Sequence, residues 1–331
     1  MKNFLKYLEN FKNTQIMVIG DIIADEFLIG RPERLSREAP VLILRRNNQK
    51  ILPGGAANAA YNISALKGKI KLAGVIGYDR TGKQLKEILK EKNIDISGII
   101  SSEDRPTSLK TRVLAGGDQV VKQQIVRIDH LKNGGIGEKL EDKIFNKVKE
   151  NIKKTDGILL SDYGNGVLSS NLKDRIINFA RKKGVFTAVD SRYNLLDFKG
   201  ANLATPNLEE AGKAFGKELE SQTEVIEAGK SLIDKLDLDH LLITQGSEGM
   251  TLFNKNGDYE HVPVANFSEV YDVTGAGDTV IGTLVLSYAA GASISEAVHL
   301  ANYAAGIVVR KSGVAVVNPE ELKREVFANE E

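Results

Sequence analysis

The sequence predicts an α/β fold: a three-layer α/β/α arrangement around a mostly parallel sheet, with a small antiparallel β lid. Three observations carry this expectation. Short, continuously apolar runs alternate with segments of helical period, several of those runs end in Asp, Asn or Thr, and two stretches, 39–52 and 98–130, are β-like without helical period. Along the chain, 15–21 reads as a buried strand ending in a turn, 56–66 as a helix behind Pro53-Gly54-Gly55, and 70–77 as the next strand. A turn at Gly77 leads into a helix over 82–92, and the Lys/Glu-rich stretch 138–154 reads as the exposed face of another. Strand 157–162, helix 172–183 and strand 185–190 continue the alternation, followed by strands over 202–207 and 240–244. Ligands in such sheets sit at the carboxyl ends of strands, so Asp21, Asp162, Asp190, Asn207 and Thr244 are expected on one rim. Past residue 279, Val280, Ile281, Leu284, Val285, Tyr288 and Ala289 recur with helical spacing, and Gly291 supplies a stop.

Neither 39–52 nor 98–130 makes a stable sheet alone, so the two are expected to pair as a lid within a single domain over 1–331. In the second stretch Ser108, Lys110 and Arg112 share one strand face, and Leu109, Thr111 and Val113 the other. That basic face reads either as a ligand contact or as a solvated edge guarded by charge. Gly116-Gly117-Asp118 reads as a hairpin turn before 120–128.

Composition narrows the class. A chain of 331 residues, 42% hydrophobic and 27% charged, is within reach of one large α/β domain. A net charge of +1 gives no support to a nucleic-acid or anionic-membrane partner. The absence of cysteine excludes a disulfide framework and a thiolate metal site, and His130, His240, His261 and His299 lie too far apart for a local metal pair. No apolar run is long enough to span a bilayer, and 1–15 lacks the apolar core of a signal peptide. A cytoplasmic address is therefore expected.

Chemistry concentrates in Asp272-Val273-Thr274-Gly275-Ala276-Gly277-Asp278-Thr279, which sets glycines and a carboxylate at the start of the last-named helical pattern. The glycines let the backbone approach a ligand, and the open N–H groups and positive dipole end of a first turn favour an anion, phosphate above all. Asp278 would repel that phosphate unless it faced an attacking hydroxyl as a base; the plain alternative is a carboxylate capping a buried helix. Two other motifs are set aside. Gly77-Tyr78-Asp79-Arg80-Thr81-Gly82-Lys83-Gln84 has P-loop spacing, but Gln84 stands where a Mg²⁺-binding hydroxyl is needed. No Gly-x-Gly-x-x-Gly follows the first strand, which weakens a dinucleotide reading.

Pro53-Gly54-Gly55-Ala56-Ala57-Asn58, taken with the 272–279 segment, resembles the paired signatures of ribokinase-like (PfkB) sugar kinases. The likeness runs in order through Gly20-Asp21 with Asp25, Gly77-x-Asp79-x-x-Gly82, Thr205-Pro206-Asn207 with Glu210, and Thr244-Gln245-Gly246, over nearly the whole chain. Within that family the sequence is most similar to the kinases of D-glycero-β-D-manno-heptose 7-phosphate. Arg34-Leu35-Ser36-Arg37-Glu38-Ala39-Pro40-Val41, Leu159-Leu160-Ser161-Asp162-Tyr163, 53–60 and 269–278 carry that similarity. Those enzymes use ATP to phosphorylate the anomeric C1 hydroxyl on the route to nucleotide-activated heptose for lipopolysaccharide.

The resemblance implies a role for each matching residue. Asp278 would be the base, and the backbone of Gly275, Ala276, Gly277 and Asp278 would hold charge developing on the transferred phosphoryl group. Asn207 would face a phosphate and Glu210 would order Mg²⁺ through water, although their spacing also suits a capping pair. Thr244 and Gly246 look like nucleotide contacts, and Asn302, read as an exposed amide, falls where this family lines the adenine pocket. Asp25, Gly54, Gly55 and Asn58 match sugar-hydroxyl positions, with Asp162 a further candidate. A distal phosphate needs a cation from among Lys110, Arg112, Arg34 and Arg127, Lys110 first. Asp272 and Thr274 mark where some relatives hold a monovalent cation. Closing the lid would exclude water, and its exposed edge invites a homodimer.

Departures from the family pattern bear on the substrate. Many heptose kinases carry a C-terminal nucleotidyltransferase with His-x-Gly-His; the sequence has no such motif, so the kinase alone is expected. Stretch 115–124 looks longer than its counterpart, and Asp190-Ser191-Arg192 stands where Asp-Pro-Lys is the pattern. A hexose-phosphate 1-kinase, a ribokinase- or fructokinase-like enzyme and a non-catalytic sugar- or nucleotide-binding regulator are the alternatives, with a dehydrogenase last.

Overall fold

Ile16 and Val18 point into one hydrophobic core and Met17 and Ile19 into a second, because successive side chains of a strand face opposite ways. The same split divides Leu72 from Ala73, Leu159 from Leu160 and Leu242 from Ile243. A strand covered on both faces has no polar side to show, which is why these runs are continuously apolar. The computed structural model describes residues 4–116, 122–132, 134–265, 272–311 and 313–330.

In chain order the strands are β1 (Gln15–Gly20), β2 (Ile22–Leu35), β3 (Leu42–Gly55), β4 (Lys69–Gly77), β5 (Asp95–Ser102), β6 (Ser108–Ala115), β7 (Gln123–His130), β8 (Gly157–Asp162), β9 (Phe186–Ser191), β10 (Leu203–Ala204), β11 (His240–Thr244), β12 (Met250–Asn254) and β13 (Tyr259–Val262). Among the described residues, nine of them form one sheet in the order β13-β12-β11-β10-β9-β8-β1-β4-β5. It is parallel from β5 to β11 and antiparallel only at β12 and β13. Helices Ala56–Ala65, Ala276–Ala289 and Ile294–Val308 cover the first core, and Glu138–Asn151, Ser170–Lys183 and Gln222–Leu236 the second. This is the expected three-layer arrangement. The segment with P-loop spacing is a helix start: the Asp79 carboxylate accepts the N–H groups of Gly82 and Thr107 at 2.7 Å each, which caps helix Arg80–Glu91.

The other four strands form a smaller sheet in the order β3-β2-β6-β7. Its outer pairs, β2–β3 and β6–β7, are antiparallel, and the central pair β2–β6 runs parallel. Two boundaries differ from expectation. β5, assigned by its pattern to the 98–130 stretch, joins the edge of the large sheet beside β4, because Ile99 enters one core and Ile100 packs against the other. β2 escaped the sequence reading altogether. Residues 31–35 of it are exposed, and Gly30 and Pro32, lying at two register shifts, read as turn residues. Of the Gly116-Gly117-Asp118 turn, Gly117 and Asp118 lie outside the described residues.

One residue, Asp21, separates β1 from β2, and β3 runs directly into helix Ala56–Ala65. The smaller sheet is thereby rooted at the carboxyl end of β1, an interior strand between β8 and β4. No described helix is long and apolar enough to cross a membrane.

Candidate active site

The carboxyl ends of β8, β9 and β11, the rooted ends of β2, β3 and β6, and the first turn of helix Ala276–Ala289 surround a cleft of about 650 Å³. Asp162, Asp190, Asn207 and Thr244 line it, and Asp21 does not. Asp21 is buried, and its carboxylate accepts the N–H groups of Tyr163, Asn165 and Val167 at 2.8, 2.9 and 3.1 Å. It fixes the loop after β8 instead of touching a ligand. Burial pushes its carboxyl up against the opposing pull of those bonds.

Asp278 sits in the first turn of its helix, behind Gly275, whose φ of 82° suits glycine. Capping does not occupy it. Its Oδ2 accepts the Asn58 amide at 2.6 Å and its Oδ1 the Tyr163 hydroxyl at 3.1 Å. Although only 5% exposed, it lines the cleft with Gly275 and Gly277. Burial pushes its carboxyl up to about 6; the bonds from Asn58 and Tyr163 hold it down, Asp25 adds to the rise and Lys110 opposes it. The Ala276 N–H turns back to the Val273 carbonyl at 3.2 Å, and the first intrahelical bond is made by Thr279 to Gly275 at 3.1 Å. Gly277 and Asp278 lie between, where a helix start leaves N–H groups for an anion.

Asp25, Gly55, Asn58, Lys110 and Arg112 line the same cleft. Gly54 stands behind the lining: a Cβ there would collide with the Asp25 carboxylate. Arg112 donates to Asp25 at 2.5 Å, so the residue assigned to a sugar hydroxyl and one assigned to a phosphate hold each other. Lys110 Nζ lies 5.4 Å from the centroid of the Tyr163 ring, within cation–π range. Burial lowers the pKa of its ammonium, and Asp25 works the other way. Arg34 and Arg127 are outside the lining. Arg34 is on the exposed outer part of β2, and Arg127 grips Asp129 through bonds of 2.9 and 3.0 Å. Arg192 and Lys213 line the cleft instead, neither assigned a role from the sequence.

Asn207 and Glu210 form the capping box of helix Leu208–Phe215. Asn207 Oδ1 accepts the Glu210 N–H at 2.9 Å, and Glu210 Oε2 accepts the Asn207 N–H at 3.0 Å. Both also line the cleft, so the capping and ligand readings coexist. Burial raises the Glu210 carboxyl. Asp190 is pushed well above the usual carboxylate range by burial and by the charges of Asp278, Glu210 and Asp162. Among the described residues no group of three or more His, Cys, Asp or Glu side chains forms a metal cage. Magnesium carried on phosphates asks for one or two carboxylates, and Glu210 and Asp190 fit that need. Gly246 and Asn302 fall outside the lining. Asn302 is not exposed: it is buried and donates to the Pro263 carbonyl at 2.7 Å. Asp272 accepts the N–H groups of Thr274 and Gly313 at 2.9 and 3.2 Å, so a monovalent cation there would share the loop's own acceptor.

Ser191 donates to Asp162 Oδ2 at 2.9 Å. Asp162 Oδ1 takes the Gly164 N–H at 3.0 Å. Tyr163, also lining the cleft, was read only as part of a motif; an aromatic directly after an acid-ended strand was its one signal.

Over 322 residues, 97% of this chain and 64% of the relative, the sequence is 40% identical to "Bifunctional protein HldE" of Geobacter metallireducens. It is 38% identical over 322 residues, 97% of this chain and 66% of the relative, to the protein of that name from Gluconobacter oxydans. The chain thus spans about two thirds of the length of these relatives. Its fold is that of Arabidopsis thaliana ribokinase complexed with ribose and ATP, with a TM-score of 0.74 at 18% identity over 95% of this chain and 98% of that one. Escherichia coli phosphofructokinase-2 in complex with potassium gives 0.76 at 18% identity, over 96% of this chain and 99% of that one. A family profile described as "pfkB family carbohydrate kinase" matches residues 13–321, and the chain belongs to that family.

Proposed function

We propose that this sugar kinase uses ATP to phosphorylate the C1 hydroxyl of D-glycero-β-D-manno-heptose 7-phosphate. One observation carries the catalytic part: a buried carboxylate, Asp278, faces a cleft from the glycine-led start of a helix and shares that cleft with Lys110 and Arg112. The heptose assignment rests on the four motif stretches quoted above and on the relatives at 38–40% identity. Asp278 takes the proton of the C1 hydroxyl as that oxygen bonds to the γ-phosphorus of ATP; the bond from this phosphorus to the bridging oxygen breaks and ADP leaves. The N–H groups of Gly277 and Asp278 meet the charge on the moving phosphoryl group. Mg²⁺, held through water by Glu210 and Asp190, would neutralise the phosphate oxygens. Asn207 and Thr244 are the nucleotide contacts, Asp25 and Asn58 meet sugar hydroxyls, and Lys110 meets the distal phosphate. The whole of 1–331 acts as one kinase unit in the cytoplasm, with the smaller sheet as a lid that keeps water out.

A panel of sugars and sugar phosphates, assayed for ADP release and product phosphorylation, tests the reading. The heptose 7-phosphate is expected to give the highest kcat/KM; a hexose phosphate or a free sugar in first place replaces it, and binding without ADP release leaves a regulator. We also expect a homodimer through the lid, where Leu35, Val41, Leu42, Ile125, Val126 and Ile128 are exposed and every residue of β7 is exposed. Sedimentation at micromolar concentration reads this directly, and a monomer refutes it.

A further inference from the structure

The Asp278 carboxylate is held by two donors from different elements. Asn58 comes from helix Ala56–Ala65 and takes Oδ2 at 2.6 Å, while the Tyr163 hydroxyl, from the loop after β8, takes Oδ1 at 3.1 Å. An ionised carboxylate offers about four lone-pair sites, so acceptor capacity remains for a substrate hydroxyl. The loop that presents Tyr163 is itself pinned. Its N–H groups at Tyr163, Asn165 and Val167 all end on Asp21, and Asp162 takes the Gly164 N–H. The Tyr163 ring meanwhile lies under Lys110 Nζ, 5.4 Å from the centroid. One side chain therefore touches the base through its hydroxyl and the distal cation through its ring.

We infer that Tyr163 is a positioning residue with two separable functions: its hydroxyl holds Asp278 ionised and aimed at the cleft, and its ring seats the Lys110 ammonium for the substrate's distal phosphate. The inference rests on the proposed kinase reading. Tyr163 serves as a donor throughout, since burial and the neighbouring charges of Asp278 and Asp190 raise its phenol well above the ordinary range and keep the proton on. The charged groups facing Asp278 are Asp25 from β2, Lys110 from β6 and Asp190 from β9. None of them donates a hydrogen bond to it among the described residues, so the hydroxyl of Tyr163 and the amide of Asn58 do that alone. Losing a donor to the charged form raises a carboxyl pKa.

The test is the pH profile of kcat/KM with ATP and the best sugar of the panel, for the wild type, Tyr163→Phe and Tyr163→Leu. Wild-type activity is expected to fall as pH drops through about 6, where Asp278 gains its proton. In Tyr163→Phe, which keeps the ring, this limb moves up by about one pH unit. The loss is then about fivefold at pH 6 and fades to under about twofold at pH 8.5, with KM for the sugar phosphate nearly unchanged. Tyr163→Leu shows the same limb shift and adds a rise in that KM, not in the KM for ATP. A loss equal at every pH, or a limb that stays in place, overturns the hydroxyl's role; a KM unmoved by the leucine overturns the ring's. A wild-type profile flat through pH 6, together with turnover in Asp278→Asn, would sink the base assignment itself and the inference with it. Thermal melts of both variants separate these outcomes from misfolding.

Discussion

Asp278→Asn is expected to lower kcat by about 10²- to 10⁴-fold, the range a positioned general base supplies, while ATP binding stays measurable. The substitution keeps the shape of the side chain and its place in the first turn of helix Ala276–Ala289. It removes the negative charge and sets an amide against two donors, the Asn58 amide and the Tyr163 hydroxyl. The N–H groups at the helix start are backbone and survive the change, so the anion-binding end of the cleft is intact. Single-turnover kinetics together with a calorimetric ATP titration give the two numbers needed. Turnover within about tenfold of the wild type would remove Asp278 from the base role.

The second large effect is expected at Lys110. Replacing it with alanine should raise the KM for a sugar phosphate by about 10- to 100-fold, as loss of a charge-assisted bond to phosphate does. The KM for ATP should stay within about twofold. The selectivity has a structural reason: Lys110 lies on β6, next to Arg112 and over Tyr163, whereas Asn207, Glu210 and Thr244 come from the far side of the parallel sheet order, around β10 and β11. Arg112 meets an anion only in exchange for Asp25, which already holds it, so it does not replace the charge of Lys110. Equal rises in both KM values would show that Lys110 supports the cleft as a whole and binds no distal phosphate.

The parallel sheet was legible because burial on two faces leaves a continuous apolar run, as 157–162 and 240–244 display. The start of helix Ala276–Ala289 was legible because glycines followed by an acid and a helical period mark a first turn with open N–H groups. What escaped was structure made by polar residues at the seam between the sheets. β2 runs from a buried root to an exposed tip, with Asp25, Glu26, Gly30 and Pro32 inside it and no period-two alternation to read, and its root pairs with Leu52, Pro53 and Gly54 of β3 and with Ser108, Leu109 and Lys110 of β6, which no local window contains. The Asp21 carboxylate read as a ligand because it ends a strand; that it serves three backbone N–H groups of a distant loop is visible only in space. Asn302 was misplaced for the converse reason, since a buried amide and an exposed one look alike in a helix.

The Asp25–Arg112 pair gives the resting cleft an internal counterion. Both side chains are mostly shielded from solvent, so neither can be drawn towards a guest without stranding the other in a medium of low polarity. A visitor that carries its own anionic group can take the guanidinium and hand the freed carboxylate to its hydroxyls, an exchange that conserves charge at every step. An uncharged visitor has nothing to trade.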